Sequence, residues 1–543
     1  MKKFIIIFLV LFIGYLNAGV KDPAKVIIPK PLKIIEQKGI FNLTPSTAII
    51  SGSNTFEEAK YLAEILKKLF REPPVIKKNG ITGIILKLNK LLGYTSGKEG
   101  YVFTVSENNI LIEASTPTGI FYGIQTLRQL LPLQLENKDN KIVKLKQVKI
   151  IDKPRFPWRA FILDEARYFK GTKSVKMLLD QMALHKMNIF HWHLVDDQGW
   201  RIEIKKYPKL TEIGSKREDS MIDGWDSNIY SGKPHEGYYT QKEIKDIIRY
   251  AKKRHITIIP EIEMPGHSAS AIAAYPWLGT SGILKGKVPS SFGYDYDIYD
   301  ITKPEVVGFL ENVLKEIINL FPSKIIHIGA DEVLYDIWKN SKSVSAYMKK
   351  NKLTPADLQI LFTNKISQFL AKHNRRMMGW NEILAGAKIH DNQNINDVKT
   401  SQNLAPNTII HFWKGDLNLI KDAVEKGYDV VNSFHKTTYL DYTYTRLPIE
   451  KAYKFNPIPE GLKKKYNSKI LGVGCQMWGE WIPDEKSMEF RVFPRLSAIA
   501  EVAWTKNSLK DYDDFMKRLK YLEKRWKLQG IKYGLYKKEF LKF

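Results

Sequence analysis

The sequence predicts an α/β protein, a (β/α)8 TIM barrel preceded by a small α/β domain, and three observations predict it. Length is the first: 543 residues exceed one ordinary domain and suit a large unit with a smaller companion. The second is a series of short apolar runs separated by helical stretches, at 159–166, 188–195, 256–263, 324–330, 375–380, 408–413, 429–434 and 470–478. Their number and spacing are those of a barrel with enlarged loops, with a doubly wound open sheet as the rival. The third is the chemistry at the C-terminal end of each run. In order these residues are Arg167; Asp196 and Asp197; His267; Asp331 and Glu332; Trp380; Trp413; Tyr439 with Asp441; and Trp478 with Glu480. A barrel builds its active site at the C-terminal ends of its strands, so these residues converge if the fold is right.

Taken in chain order, residues 1–18 read as an export signal, with Lys2 and Lys3 before an apolar run from Phe4 to Leu16. That run is short of the ~20 residues that span a bilayer, so the expected product is periplasmic or secreted, with no membrane span in its mature form. Residues 19–152 mix β-like runs (Gly83 to Leu88, Tyr101 to Val105, Asn109 to Glu113) with helical ones (Phe56 to Phe70, Thr118 to Leu131), a small α/β domain. The two prolines of Asp152–Pro157 mark a linker. The barrel then occupies 153–507, and an amphipathic, basic stretch within 508–543 reads as a closing helix. Cys475 is the only cysteine, so no intramolecular disulfide forms. The net charge of +27 comes from scattered lysines without interleaved aromatics, which argues for a solvated basic surface and against a nucleic-acid partner.

Chemistry concentrates in two places. His327-Ile-Gly-Ala-Asp331-Glu332 runs a strand into adjacent carboxyls. On a regular strand neighbours face opposite ways, which suits one acid with an assistant better than a pair flanking a bond. His191-Trp-His193-Leu-Val-Asp196-Asp197-Gln-Gly-Trp-Arg201 places two histidines on one strand face. That is how a metal-dependent amidohydrolase presents ligands, and also how satisfied barrel-interior histidines look. Tryptophans 380, 413 and 478 at three strand ends suit the C–H face of a sugar.

These residues resemble glycoside hydrolase family 20, the β-N-acetylhexosaminidases, over nearly the whole mature chain. The resemblance rests on Asp164-Glu-Ala-Arg167, His191 to Arg201, Glu261-Ile-Glu-Met-Pro-Gly-His267, His327 to Glu332, Gly379-Trp-Asn-Glu382, Tyr439-Leu-Asp441 and Trp478-Gly-Glu480. It implies an exo-acting, retaining enzyme without metal or organic cofactor, in which the substrate's own acetamide attacks the anomeric carbon. By resemblance Glu332 is the acid and later the base, with a raised pKa. Asp331 orients the acetamide N–H, and Tyr439 donates to its oxygen. Trp380, Trp413 and Trp478 enclose the N-acetyl group. Arg167 takes the 3- and 4-hydroxyls, Asp441 and Glu480 the outer ones, and Asp196 with His267 supports the acid. The partner implied is a glycan ending in N-acetylglucosamine or N-acetylgalactosamine. Two positions depart from the family: Ala330 stands where a second glycine is common, fitting unstrained if its φ is negative, and Glu263 stands where Asp is common. A non-catalytic glycan-binding protein is the third reading, which the intact acid, Asp and Tyr disfavour.

Overall fold

A computed structural model describes residues 21–133, 141–225, 227–284, 286–293, 296–390 and 393–534. The export signal at 1–18 lies outside them, and no described helix is long and apolar enough to cross a membrane. The first unit is a seven-stranded sheet: β1 (Lys33–Leu43), β2 (Ile49–Ser51), β3 (Ile76–Lys77), β4 (Gly83–Leu88), β5 (Tyr101–Val105), β6 (Asn109–Ala114) and β7 (Val143–Asp152), in the order β1-β7-β5-β6-β4-β2-β3. Helices α1 (Phe56–Phe70) and α2 (Pro117–Leu130) cover it. In α1, Ala59, Leu62, Ala63, Leu66 and Leu69 recur at helical spacing, and all are buried.

The predicted barrel is present and closed. Its strands are β8 (Trp158–Asp164), β9 (Ile189–His193), β10 (Thr257–Glu261), β11 (Ile325–His327), β12 (Arg376–Trp380), β13 (Ile409–Phe412), β14 (Asp429–Asn432) and β15 (Ile470–Met477), with β15 returning to pair with β8. Trp158, Ala160, Ile259, Met378, Ile409 and Val431 form an apolar cluster of barrel-strand side chains. Above the apolar residues the lining turns polar: the register sets Asp164, His193, Glu261 and His327 side by side on four neighbouring strands. Helices α3 (Gly171–Leu184), α4 (Gln241–Lys252), α5 (Pro304–Leu320) and α6 (Pro355–Lys372) surround the first half. Thr240 with Glu243, and Thr354 with Asp357, box the N-termini of α4 and α6.

The linker is anchored, since Arg155 and Phe156 donate their N–H groups to the carbonyls of Trp504 and Ala503 in α7 (Arg495–Trp504). Helix α8 (Tyr512–Gln529) closes the structure, its Arg518 forming an ion pair with Glu501 of α7 at 2.7 Å with both side chains buried. Charge also fastens the two units. Arg159 of β8 grips Glu99 with two hydrogen bonds, at 3.0 and 2.7 Å. Lys186, wholly buried, donates to Asp152 at 2.9 Å and to Tyr101 at 2.7 Å, over the ring of Trp504.

Beyond β11 the chain leaves the strand path through left-handed residues: Gly329 at φ 63°, Ala330 at φ 68° and Glu332 at φ 47°. Ala330 therefore lacks the negative φ at which an alanine would fit unstrained. A left-handed alanine costs ~1–2 kcal/mol. Burying its methyl (~0.8 kcal/mol) and restricting the unfolded chain (~0.4–1 kcal/mol) offset most of that. At Gly329 no such balance exists, because a Cβ would stand 1.6 Å from Glu263 Oε2.

These contacts set two stability tests. Ala330→Gly should move the free energy of unfolding by less than about 1 kcal/mol, while Gly329→Ala should cost about 3 kcal/mol or more; equal effects in urea titrations would contradict the account. Lys186→Met strands the buried Asp152 and should lose about 3 kcal/mol, with the added change Asp152→Asn restoring part of it. No restoration would mean that the lysine acts through packing alone.

Candidate active site

Arg167, Asp196, His267, Asp331, Glu332, Trp413, Tyr439, Asp441, Trp478 and Glu480 all line one cavity of about 1020 Å³ at the C-terminal mouth of the barrel. That is room for a pyranose and a good part of what it is attached to. Trp380 is not on the wall. It lies fully buried beneath, with ring centroids 5.9 Å from Trp478 and 6.5 Å from Trp413. Its indole N–H donates to Glu261 at 2.8 Å. Trp413 stacks on Tyr439 at 6.1 Å and 11°, and its N–H is held by both oxygens of Glu382 at 3.1 and 3.0 Å. Two indoles and a phenol thus make an apolar box with Trp380 packed beneath it, and burial keeps Tyr439 neutral, a proton donor over any ordinary pH.

Asp331 and Glu332 both reach this cavity, because the left-handed residues before them break the strand's alternation. Asp331 Oδ1 is buried without a hydrogen-bond partner, an acceptor facing no donor. Burial first, then the carboxyls of Glu382, Glu332 and Glu261, raises the Asp331 pKa well above the usual carboxylate range, against the pull of His267. Glu332 goes the other way. Burial alone would raise it, but the His267 hydrogen bond and charge, with help from His390 and Lys414, bring it below its ordinary value. His267 Nε2 stands 3.5 Å from Glu332 Oε2 and 3.9 Å from Asp331 Oδ2. The raised pKa expected of Glu332 is thus reversed: Asp331 holds the proton of this pair, and the nearer cation is the reason.

That cation is itself supported. His267 Nδ1 lies 3.2 Å from Asp196 and 3.1 Å from Asp197, and these acids outweigh burial to raise its pKa well above the usual imidazole value. Asp196 also takes Arg167 at 2.9 Å and His193 at 2.8 Å, which hold it ionised despite burial. Arg167 is further fixed by Asp164 at 3.3 Å and Gln198 at 3.1 Å, with its guanidinium over Trp478. Asp441 is pushed up to about 7 by burial and by the neighbouring Glu480, so this outer edge offers both donors and acceptors. Glu263 fills the space under Gly329 and accepts the Ala330 N–H at 3.3 Å.

The sequence alone assigns no supporting role to Asp197, His193, Glu261 or the Glu382–His390 pair, His193 being weighed only as a metal ligand or a satisfied interior residue. The double aspartate is a signal for the first, and same-face spacing on neighbouring strands is one for the next two. It offers none for the outer wall of Met221 to Trp225, Tyr442, Arg446 and Trp481, which comes from the segments that follow barrel strands, or for Arg491, which reaches the wall from the helix Glu485–Val492. The metal reading finds clustered ligand types, including His191, His327 and His411. Yet both ring nitrogens of His193 and Nδ1 of His267 meet carboxylates as ion-pair partners, and His327 Nε2 meets His411 Nδ1 at 3.2 Å. His193, Asp196 and His267 do line the cavity, but their ligand atoms are already paired with one another or with Glu261 and Asp197, so a metal would have to displace those pairs and the set fits one poorly.

The comparisons agree with this geometry. The model of the glycosyl hydrolase family 20 catalytic domain matches residues 156–507, and that of the family's domain 2 matches 24–153. The chain is 34% identical over 528 residues to a beta-hexosaminidase of Porphyromonas gingivalis, covering 94% of this chain but spanning only 64% of that relative's length. To the beta-hexosaminidase of Vibrio furnissii it is 34% identical over 490 residues, 87% of this chain and 76% of the other. Among solved structures, the exo β-N-acetylglucosaminidase of Vibrio harveyi in complex with N-acetylglucosamine superposes with a TM-score of 0.81 at 32% identity, covering 95% and 79% of the two chains. The N-acetyl-β-hexosaminidase of Streptomyces plicatus in complex with Thio-NAglucal does so at 0.79 and 27%, covering 94% and 97%. With both family domains matched in order and the predicted residues gathered at one barrel mouth, the chain belongs to glycosyl hydrolase family 20.

Proposed function

We propose that the protein is an exo-acting β-N-acetylhexosaminidase that removes terminal β-linked N-acetylglucosamine, and N-acetylgalactosamine as a second substrate, with retention of configuration. The observation that carries this reading is the buried, partnerless Oδ1 of Asp331 beside the Trp413–Trp478–Tyr439 box and the cavity-facing Glu332. An acetamide suits that box: its methyl packs on indole, its oxygen takes the Tyr439 hydroxyl, and its N–H supplies the donor that Asp331 lacks.

In this reading the acetamide oxygen attacks C1. The C1–O bond breaks toward the leaving oxygen, which takes the proton of Glu332, and an oxazolinium forms whose N–H is held by Asp331. A water then gives a proton to Glu332 and adds to C1, reopening the ring with the original configuration. Proton placement fits this order if the sugar brings it about. The amide N–H favours the Asp331 carboxylate, while the sugar ring shields Glu332 and raises its proton affinity. The proton that Asp331 holds in the free protein then belongs to the acid. Arg167, Asp441 and Glu480 take the ring hydroxyls. We also read residues 1–18 as directing export, so that the substrate is a glycan met outside the cytoplasm.

Hydrolysis of a chromogenic β-N-acetylglucosaminide tests the reading. Turnover should resist chelator and fall about 10³-fold or more in Glu332→Gln; a folded wild type inert on this substrate, the galactosaminide and a disaccharide glycoside would overturn it. The protonation order has its own test. Activity needs one proton on the pair and is lost as pH rises through the raised value that Asp331 contributes. Asp331→Asn should therefore cut kcat/KM by about 10²-fold and move its alkaline limb to lower pH, toward the depressed value of Glu332. A limb that stays in place would refute that order.

A further inference from the structure

The polar layer inside the barrel contains a carboxylate that the mechanism above does not use. Glu261, the last residue of β10, is wholly buried and opposite His193 on one side and His327 on the other. Its Oε1 accepts the Trp380 indole N–H at 2.8 Å. Its Oε2 accepts from His193 Nδ1 at 2.8 Å. From His193 the path continues through Nε2 to Asp196 at 2.8 Å, from Asp196 to His267 at 3.2 Å, and from His267 to Glu332 at 3.5 Å.

We propose that Glu261 is a positioning residue that ties the floor of the pocket to the acid, one oxygen fixing Trp380 and the other fixing His193, which aligns Asp196, His267 and Glu332 in turn. The proposal rests on the hexosaminidase reading above. Charge alternates along the path, from the Glu261 carboxylate to the His193 cation, the Asp196 carboxylate, the His267 cation and the Glu332 carboxylate. Unlike-charged neighbours hold geometry more tightly than neutral hydrogen bonds do.

The surroundings of each group support that alternation. Around Glu261 stand His327 at 2.9 Å and His191 at 3.0 Å as well as His193, and together they keep it ionised against burial. Glu263, two residues on, and Asp331, after β11, face the same layer from the cavity side, but burial and neighbouring carboxyls raise both well above the usual carboxylate range, so they hold their protons and leave Glu261 as the anion. His193 faces Glu261 and Asp196, with Asp164 on β8 adding to them and Glu263 3.8 Å away. Burial opposes its charge, yet these carboxylates push it up to about 10. His327 and His411, with fewer anions near them, are driven down by burial, His327 to about 4. Of His193, His327 and His411, His193 is therefore the cation, and Glu261 together with Asp196 makes it so.

Glu261→Gln keeps shape and removes the charge. With Gln the His193 pKa falls from about 10 toward its ordinary value, so the ring loses its proton as pH rises through neutrality and the alignment of Asp196 and His267 relaxes. The expected result on the chromogenic glycoside is a fall in kcat of about tenfold at pH 7, deepening at higher pH, with KM within about threefold. Glu261→Asp, which keeps the charge but shortens the reach, should lower kcat while keeping the wild-type pH profile. A Glu261→Gln profile parallel to wild type, with loss confined to stability, would overturn the proposal and leave the hexosaminidase reading standing. Should Glu261→Gln fail to fold, histidine-selective 15N spectra of the wild type decide: His193 must stay cationic at pH 8, and titration near 6.5 would overturn the proposal. That measurement needs no turnover, so a wild type without hexosaminidase activity fails the functional reading separately.

Discussion

Charge buried at the mouth of a barrel persists only where it is matched, and Asp196 is the point at which this protein matches most of it. One oxygen takes Arg167 and His193, and the other faces His267. The sugar-binding edge, the barrel interior and the acid therefore share one carboxylate. A displacement at any of the three is felt at the other two, since Asp196 is the one carboxylate that Arg167, His193 and His267 have in common. The strands supply the rigidity this requires: Asp164, His193 and Glu261 sit in register on adjacent hydrogen-bonded strands, so their spacing follows the sheet and not a loop.

Where the sequence is legible, the physics is local and periodic. Phe56 to Phe70 shows its buried stripe and is α1, and the apolar barrel runs coincide with β8 to β15 to within a few residues. Strand β7 escapes notice because its outward positions are lysines, so that Val143 to Asp152 reads as a charged, polar segment. Strand β1 escapes for a similar reason, being mostly exposed at a sheet edge. Neither run carries the density of apolar residues that marks a buried strand.

At the site, residue identity is legible and residue state is not. Spacing and strand ends point to Asp331, Glu332, Tyr439 and the tryptophans. Which of the two adjacent carboxyls keeps the proton depends on a difference of a few tenths of an ångström in the reach of His267, and on neighbours such as Glu382 that come from another part of the barrel. The placement of Trp380 below the cavity depends equally on Glu261, well over a hundred residues away. Such facts belong to tertiary geometry, and no local pattern encodes them.

The contacts between the two units bear on how this architecture can change over time. Lys186, Arg159 and Trp504 are barrel residues whose polar groups are satisfied by Asp152, Tyr101 and Glu99 of the small domain. A barrel inherited without that domain would carry two unpaired cations and a bare indole on its flank. The small domain is thus not an exchangeable accessory, and gene fusion or loss is expected to move the two together. Shuffling is tolerated more readily where no buried charge crosses the seam, and the long loops that form the outer cavity wall meet that condition. Lineages descended from this chain should therefore diversify at Met221 to Trp225 and around Trp481 far sooner than they part with the small domain.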